Sequence, residues 1–296
     1  MVGDLNTLAL ISLMAVVMIG MPHGALDGAV AMISGYAKTS GQIIKFSLGY
    51  IAIAAAVMVV WMILPVFSLT LFMLYSLIHF GLGDTGKSKG VTRLVQVICH
   101  GGLVVVIIPL AHLHAVQPIF LLLTGQKTSA DLAAFWGLML GLSGLFAASV
   151  IAYTLLAMLQ PQLRRRWLEF AGLAGVMMIV PPLTGFALYF CLVHTPRHIH
   201  HVIRAVRQFL PDTKILKLSF MFTLLTWAAM AMAVLMLKED AEIDAALLQV
   251  IFIGLAALTV PHMILVDGAF RRHTTDDAEI KPNDPNTKAS AQRKMS

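Results

Sequence analysis

Apolar runs as long as the bilayer core is thick set the frame for this chain. Phe46–Leu64 and Ala245–Leu265 are the plainest of them, and about 20 predominantly apolar residues in helical form span the roughly 30 Å of hydrocarbon. Such runs have to satisfy every backbone N–H and C=O without water, which only helices and closed barrels achieve. A barrel strand would read as about ten residues of alternating polarity, whereas these runs are longer and continuous. The chain is therefore expected to be all-α. Composition agrees: 58% of the 296 residues are apolar and 12% charged, against about 45–50% and 25% in soluble domains. A soluble enzyme, a disordered protein and a DNA-binding domain are excluded, and the net charge of +6 fits cytoplasmic loops of a membrane protein rather than nucleic-acid binding.

Nine apolar segments can be traced, at roughly 5–21, 43–64, 67–81, 94–110, 132–159, 168–181, 183–195, 216–237 and 246–265. With the N-terminus outside, 19 of the 21 Lys and Arg residues fall in or beside the inner loops, and only Lys127 and Lys238 lie on the outer side. That asymmetry is the positive-inside rule. The expected architecture is a polytopic membrane helix bundle of about nine transmembrane or partly spanning helices, N-terminus outside and C-terminus cytoplasmic. Segments 168–181 and 183–195 are short of a full span and are separated by Pro181-Pro182, so they are read as a hairpin that does not cross fully. Trp61, Trp136 and Trp167 stand at helix ends, where amphipathic rings favour the interface; Trp227, mid-segment, has no such reason. Residues 1–270 form the integral membrane domain, and 271–296 a polar, disordered cytoplasmic tail. The acid in Met1-Val-Gly-Asp-Leu argues for a retained first helix rather than a cleaved signal, and two cysteines, Cys99 and Cys191, give no disulfide framework.

Six of the eleven histidines lie in or beside apolar segments: His23, His79, His100, His194, His198 and His262. In the topology above all six fall in the cytoplasmic half. A lone intramembrane histidine is by default a hydrogen-bonded structural residue, but six at one level point to a cluster. Intramembrane ionisable groups are costly and face the bundle interior. A neutral imidazole can give a metal its lone pair while its other N–H goes to a carboxylate or carbonyl. Asp27, four residues after His23, and Asp84, five after His79, are read as carboxylates that orient those rings. His194 and His198 have i,i+4 spacing, although Thr195-Pro196 suits a new helix start between them. An all-nitrogen set suits iron, copper or zinc.

The remaining residues have plainer readings. Cys99 and Cys191 are small buried groups, and His112, His114, His200, His201 and His273 are solvated or interfacial. Arg197, Arg204 and Arg207 snorkel or meet anionic lipid, with a site role for Arg197 left open beside His198. The abundance of Met and Phe is core filling, and would also suit a tunnel for a long apolar substrate.

Pro22-His23-Gly24-Ala25-Leu26-Asp27, then His79-Phe80-Gly81 with Asp84, then His100-Gly101-Gly102 leading to Pro109, together resemble the bacteriorhodopsin-related protein (Brp/Blh) family. So do Tyr189-Phe190-Cys191-Leu192-Val193-His194-Thr195-Pro196-Arg197-His198 and Pro261-His262. The motifs run in order over about residues 20–265. The resemblance implies a multi-pass β-carotene 15,15′-dioxygenase of the inner (plasma) membrane. Such an enzyme cleaves the central double bond of β-carotene with O2 into two all-trans-retinal molecules, which supply a microbial rhodopsin. It also implies a non-haem Fe(II) held by four histidines, matched motif by motif to His23, His79, His194 and His198. His100 and His262 are then left for the surroundings of the site or the tunnel wall. An extended carotene is about as long as the hydrocarbon is thick, so a centre near the cytoplasmic face predicts a tunnel steeply inclined to the membrane normal. Readings from other classes are a divalent-metal transporter, a His-box desaturase with two metals, and a non-catalytic carotenoid- or retinal-binding partner of a rhodopsin.

Overall fold

A computed structural model describes residues 5–85, 88–237 and 242–270; the tail expected over 271–296 lies outside them. The described residues are helical, with no strand among them. Helix α1 (Thr7–Ala15) passes through a π-helical turn and a 3₁₀ segment into α2 (Asp27–Ile33), and α3 (Ser40–Ile63) and α4 (Pro65–Asp84) follow. Helix α5 (Gly90–Gly102) continues through a π turn into the short α6 (Ile108–Ala111), then α7 (Leu113–Thr124), α8 (Ala133–Leu159) and α9 (Pro161–Ile179). Helix α10 (Pro182–Tyr189) leads through another π turn into α11 (Thr195–Val206), and α12 (Asp212–Leu237) and α13 (Ile243–Met263) complete the bundle.

Seven helical stretches are long and apolar enough to cross a membrane: 7–33, 40–63, 65–84, 90–111, 129–159, 212–237 and 243–266. The two short segments read from the sequence fall on α9 and on α10 with its π turn, outside these seven. The 90–111 stretch is the central element, with 72% of its most apolar window buried in protein, whereas α12 at 0% lies on the periphery.

Local chemistry sets the boundaries. Thr39 and Gln42 form a reciprocal capping box that opens α3. Prolines at the first turn open α4, α9 and α10, and Gly125, at φ +66°, closes α7 in the left-handed region. Helices α4 and α5 touch backbone to backbone. A Cβ on Gly81 would collide with the Val97 carbonyl, and one on Gly101 with that of Leu77, the close approach that small residues permit between membrane helices.

Three of the four π turns among the described residues share one pattern. They cover Val16–Gly20, Leu103–Ile107 and Phe190–His194, and each ends two residues before a proline: Pro22, Pro109 and Pro196. A proline lacks its N–H and clashes with the carbonyl four residues back; widening the preceding turn moves that carbonyl away, as π bulges do at many functional sites. The indole of Trp227 donates to the Val17 carbonyl at 3.0 Å, which accounts for its mid-helix position. Trp61 departs from the expected interfacial role: it is 3% exposed and donates to the Leu123 carbonyl at 2.8 Å, satisfying an end carbonyl of α7.

Candidate metal centre

The widened and tightened turns deliver histidines to one place. His23 stands in the 3₁₀ segment after the first π turn, His194 is the last residue of the third, and His262 closes α13 just before a further π turn. His79 comes from the last turns of α4 and His198 from the first turn of α11. The ring centroid of His23 lies 5.6 Å from that of His194, 5.2 Å from His198 and 5.3 Å from His262. His79 lies 5.0 Å from His194 and 5.2 Å from His262, and His198 4.9 Å from His262. The longer separations are 6.1 Å for His194–His198 and 6.5 Å for His79–His198. One ring nitrogen from each of His23, His79 and His194 can be chosen so that all three lie within 4.8 Å of one another.

These spacings can be set against those of a coordination sphere. A metal about 2.1 Å from each nitrogen, with the ring centroid about 1.1 Å further out, sets adjacent centroids about 4.5 Å apart and opposite ones about 6.4 Å in octahedral geometry. The separations of 4.9–5.6 Å lie within about an ångström of the adjacent value, and His198 stands farther back from His194 and His79. Polar bookkeeping points the same way. Both ring nitrogens of His194 and Nε2 of His198 are buried without a hydrogen-bond partner among the described residues, although a buried imidazole ordinarily places both. A metal would take such a lone pair, so the donors present fit an Fe(II) ion. Gly83 keeps the space open for His194, since a Cβ there would stand 3.1 Å from the ring.

The carboxylates sit differently from the sequence expectation. Asp27 was matched to His23 by helical spacing, but residues 21–26 are 3₁₀, where the i,i+4 face relation is lost. Asp27 instead accepts from His262 Nδ1, at 2.8 and 3.0 Å to its two oxygens, and from the Tyr50 hydroxyl at 2.8 Å. His23 directs Nδ1 at the Gly20 carbonyl. In the regular α4, five residues turn through about 500°, leaving Asp84 about 140° round the axis from His79. Asp84 accepts from the Tyr189 hydroxyl and pairs with Arg197 at 3.1 Å; Arg197 also binds Glu169. The second reading of Arg197, a role behind the site, is therefore the one its contacts fit. His100 packs against Phe170 and Tyr153, 5.7 and 6.1 Å between centroids, rather than joining the ring cluster. Sequence reasoning missed Tyr50, Tyr189 and Glu169, whose tyrosine and acid signals are too common to single out.

Two cavities meet His23. The larger is lined from His23 and His79 through Leu69, Phe72, Met73, Ser76 and Phe80 of α4, and by residues of α7, α10 and α13 such as Phe120, Phe186 and Phe252. From Leu69 to Phe80 it follows one face of α4 for about 16 Å at helical rise. The other lies among Asp27, Gly28, Phe46, Tyr50, Phe222, Thr226 and His262, and shares His23, Leu255 and Thr259 with the first.

No solved structure matches the chain. A curated relative from uncultured marine bacterium 66A03, named β-carotene 15,15′-dioxygenase, is 34% identical over 266 residues, covering 89% of this chain and 94% of the relative. The family described as β-carotene 15,15′-dioxygenase matches residues 14–269, a span that takes in all of the clustered histidines, and the chain belongs to that family.

Proposed function

We propose that this protein cleaves the central 15,15′ double bond of β-carotene with O2 to give two all-trans-retinal molecules, in the inner membrane, at an Fe(II) ion held by His23, His79, His194 and His198. The observation that carries the reading is a convergence of buried imidazoles at the wall of a long apolar cavity in a membrane bundle. Fe(II) supplies the electron chemistry by which O2 reacts with a polyene. In the balance, the central C=C breaks and each of its carbons keeps one oxygen atom, so no side chain has to act as general acid or base.

The chain's own part is to bind, orient and keep water away. A C40 hydrocarbon dissolved in lipid enters between helices. If the whole substrate is roughly 30 Å long, one arm from its centre is about 15 Å, and the face of α4 from Phe80 to Leu69 offers about 16 Å. Two cavities both touch His23, and in this reading one arm lies along α4 and the other beside α3 and α12. The phenyl-rich wall of the larger cavity also disfavours a metal transporter, which needs polar groups through the full thickness. Retinal released to lipid would be available to a microbial rhodopsin.

Expression in a host that accumulates β-carotene tests this directly. Loss of colour with formation of retinal is expected, stopped by His23→Ala or His194→Ala and by an iron chelator. Unchanged pigment with folded, iron-loaded protein would refute it.

A further inference from the structure

We infer that His262 is a fifth nitrogen ligand of the same metal, held in place by Asp27 and Tyr50. The inference rests on the four-histidine reading above and extends it. Measured from His23, His79 and His198, ring spacing does not separate His262 from the four. Its centroid lies 5.3, 5.2 and 4.9 Å from those of His23, His79 and His198. His198, one of the four, is farther from His79, at 6.5 Å.

The hydrogen bonding fixes which nitrogen faces the cluster. Asp27 takes the Nδ1–H of His262 with both oxygens, at 2.8 and 3.0 Å, so the lone pair belongs to Nε2. A histidine whose outer N–H is held by a carboxylate is the arrangement that orients metal ligands and strengthens their donation. Tyr50 fixes the carboxylate in turn, donating to it at 2.8 Å.

Charge gives an independent argument. Asp27 is 4% exposed, and among the described residues no Lys or Arg pairs with it. Asp84, the other carboxylate buried near the site, has Arg197 at 3.1 Å. A carboxylate removed from water needs a compensating positive charge. A dication bound to the far side of His262 would provide one for Asp27, relayed through the ring. Five imidazoles would leave one of six octahedral positions for an exogenous ligand, where four leave two.

The experiment uses purified full-length protein in lipid nanodiscs loaded with Fe(II). Iron content, affinity by chelator competition and imidazole number by X-ray absorption are measured for the wild type and for His262→Ala, His262→Gln and Asp27→Asn. Five imidazoles are expected in the wild type and four in both His262 variants, with affinity lowered at least 10-fold; His262→Gln preserves bulk should the alanine variant fail to fold. Asp27→Asn is expected to keep five imidazoles with affinity lowered about 10–100-fold, the usual effect of losing a ligand's outer partner. Wild-type protein that binds no iron would overturn the four-histidine reading and this one together. Iron-loaded wild type whose imidazole count and affinity do not change in folded His262→Gln would overturn the fifth ligand alone.

Discussion

The indole of Trp227 donates to the carbonyl of Val17, and that bond occupies the position Pro22 leaves vacant. In a π turn each N–H reaches five residues back, as Met21 does to Val16; the next bond in the series would run from residue 22 to Val17, and proline has no hydrogen to give. A side chain on α12 thus completes the backbone bonding of the segment that carries His23. Trp227→Phe keeps most of the apolar contact and leaves the carbonyl without a donor, at a cost of about 1–3 kcal/mol. A lower melting temperature together with weaker iron retention is expected; loss of neither in calorimetry and metal analysis would show that the bond is dispensable.

Arg197 balances Asp84, whose side chain is wholly buried. Arg197→Met would leave that carboxylate uncompensated. Because Arg197 is itself 38% exposed, the expected cost is about 2–3 kcal/mol, below the 3–5 of a fully buried pair. Adding Asp84→Asn to the same protein is expected to recover most of the loss. A double variant no more stable than the single one in thermal unfolding would remove Asp84 as the partner that matters.

Gly101 carries the contact between α4 and α5. Gly101→Ala would force the Leu77 carbonyl aside, for an overpacking cost of about 1–3 kcal/mol. His79 lies two residues beyond Leu77, so the displacement should appear at the metal as well as in stability. Gly24, where an added Cβ meets nothing within 4 Å, serves as the steric control for Gly101. Equal iron content and equal melting temperature in the two alanine variants would contradict the assignment.

Leu69 lines the larger cavity, ten residues and about 15 Å from His79 along α4. Leu69→Trp is expected to leave iron content unchanged while lowering β-carotene cleavage at least 10-fold. A carotenoid truncated on one arm should be cleaved by this variant at close to its wild-type rate. If both substrates suffer alike, the cavity does not hold an arm.

Much of the fold was legible because the bilayer imposes one demand on every spanning segment. The runs at 43–64, 132–159 and 246–265 fall on α3, α8 and α13 for that reason. Rings from distant segments were expected to gather, and His23, His79, His194 and His198 do lie together. The partners of those rings were harder to read. Spacing matched Asp27 to His23, but a proline-induced change of helix type turned the carboxylate towards His262, 235 positions away. The sequence topology puts His100 at the level of the cluster, yet it packs beside Phe170, since depth along the normal says nothing about position across the bundle. Prolines 22, 109 and 196 each follow a turn that is not α-helical, but Pro118 and Pro261 sit inside regular helices, so proline alone did not mark these turns.

The two cavities beside His23 differ in character, one walled by phenyl rings and the other bordered by Asp27, Tyr50 and Thr226. Scission of a symmetric molecule at its midpoint therefore produces twin aldehydes in unlike compartments. One starts in a mostly apolar sleeve where Ser76 and Thr259 bring the hydroxyls, the other beside Asp27, Tyr50 and Thr226. On the proposed reading the two aldehydes would leave by different routes.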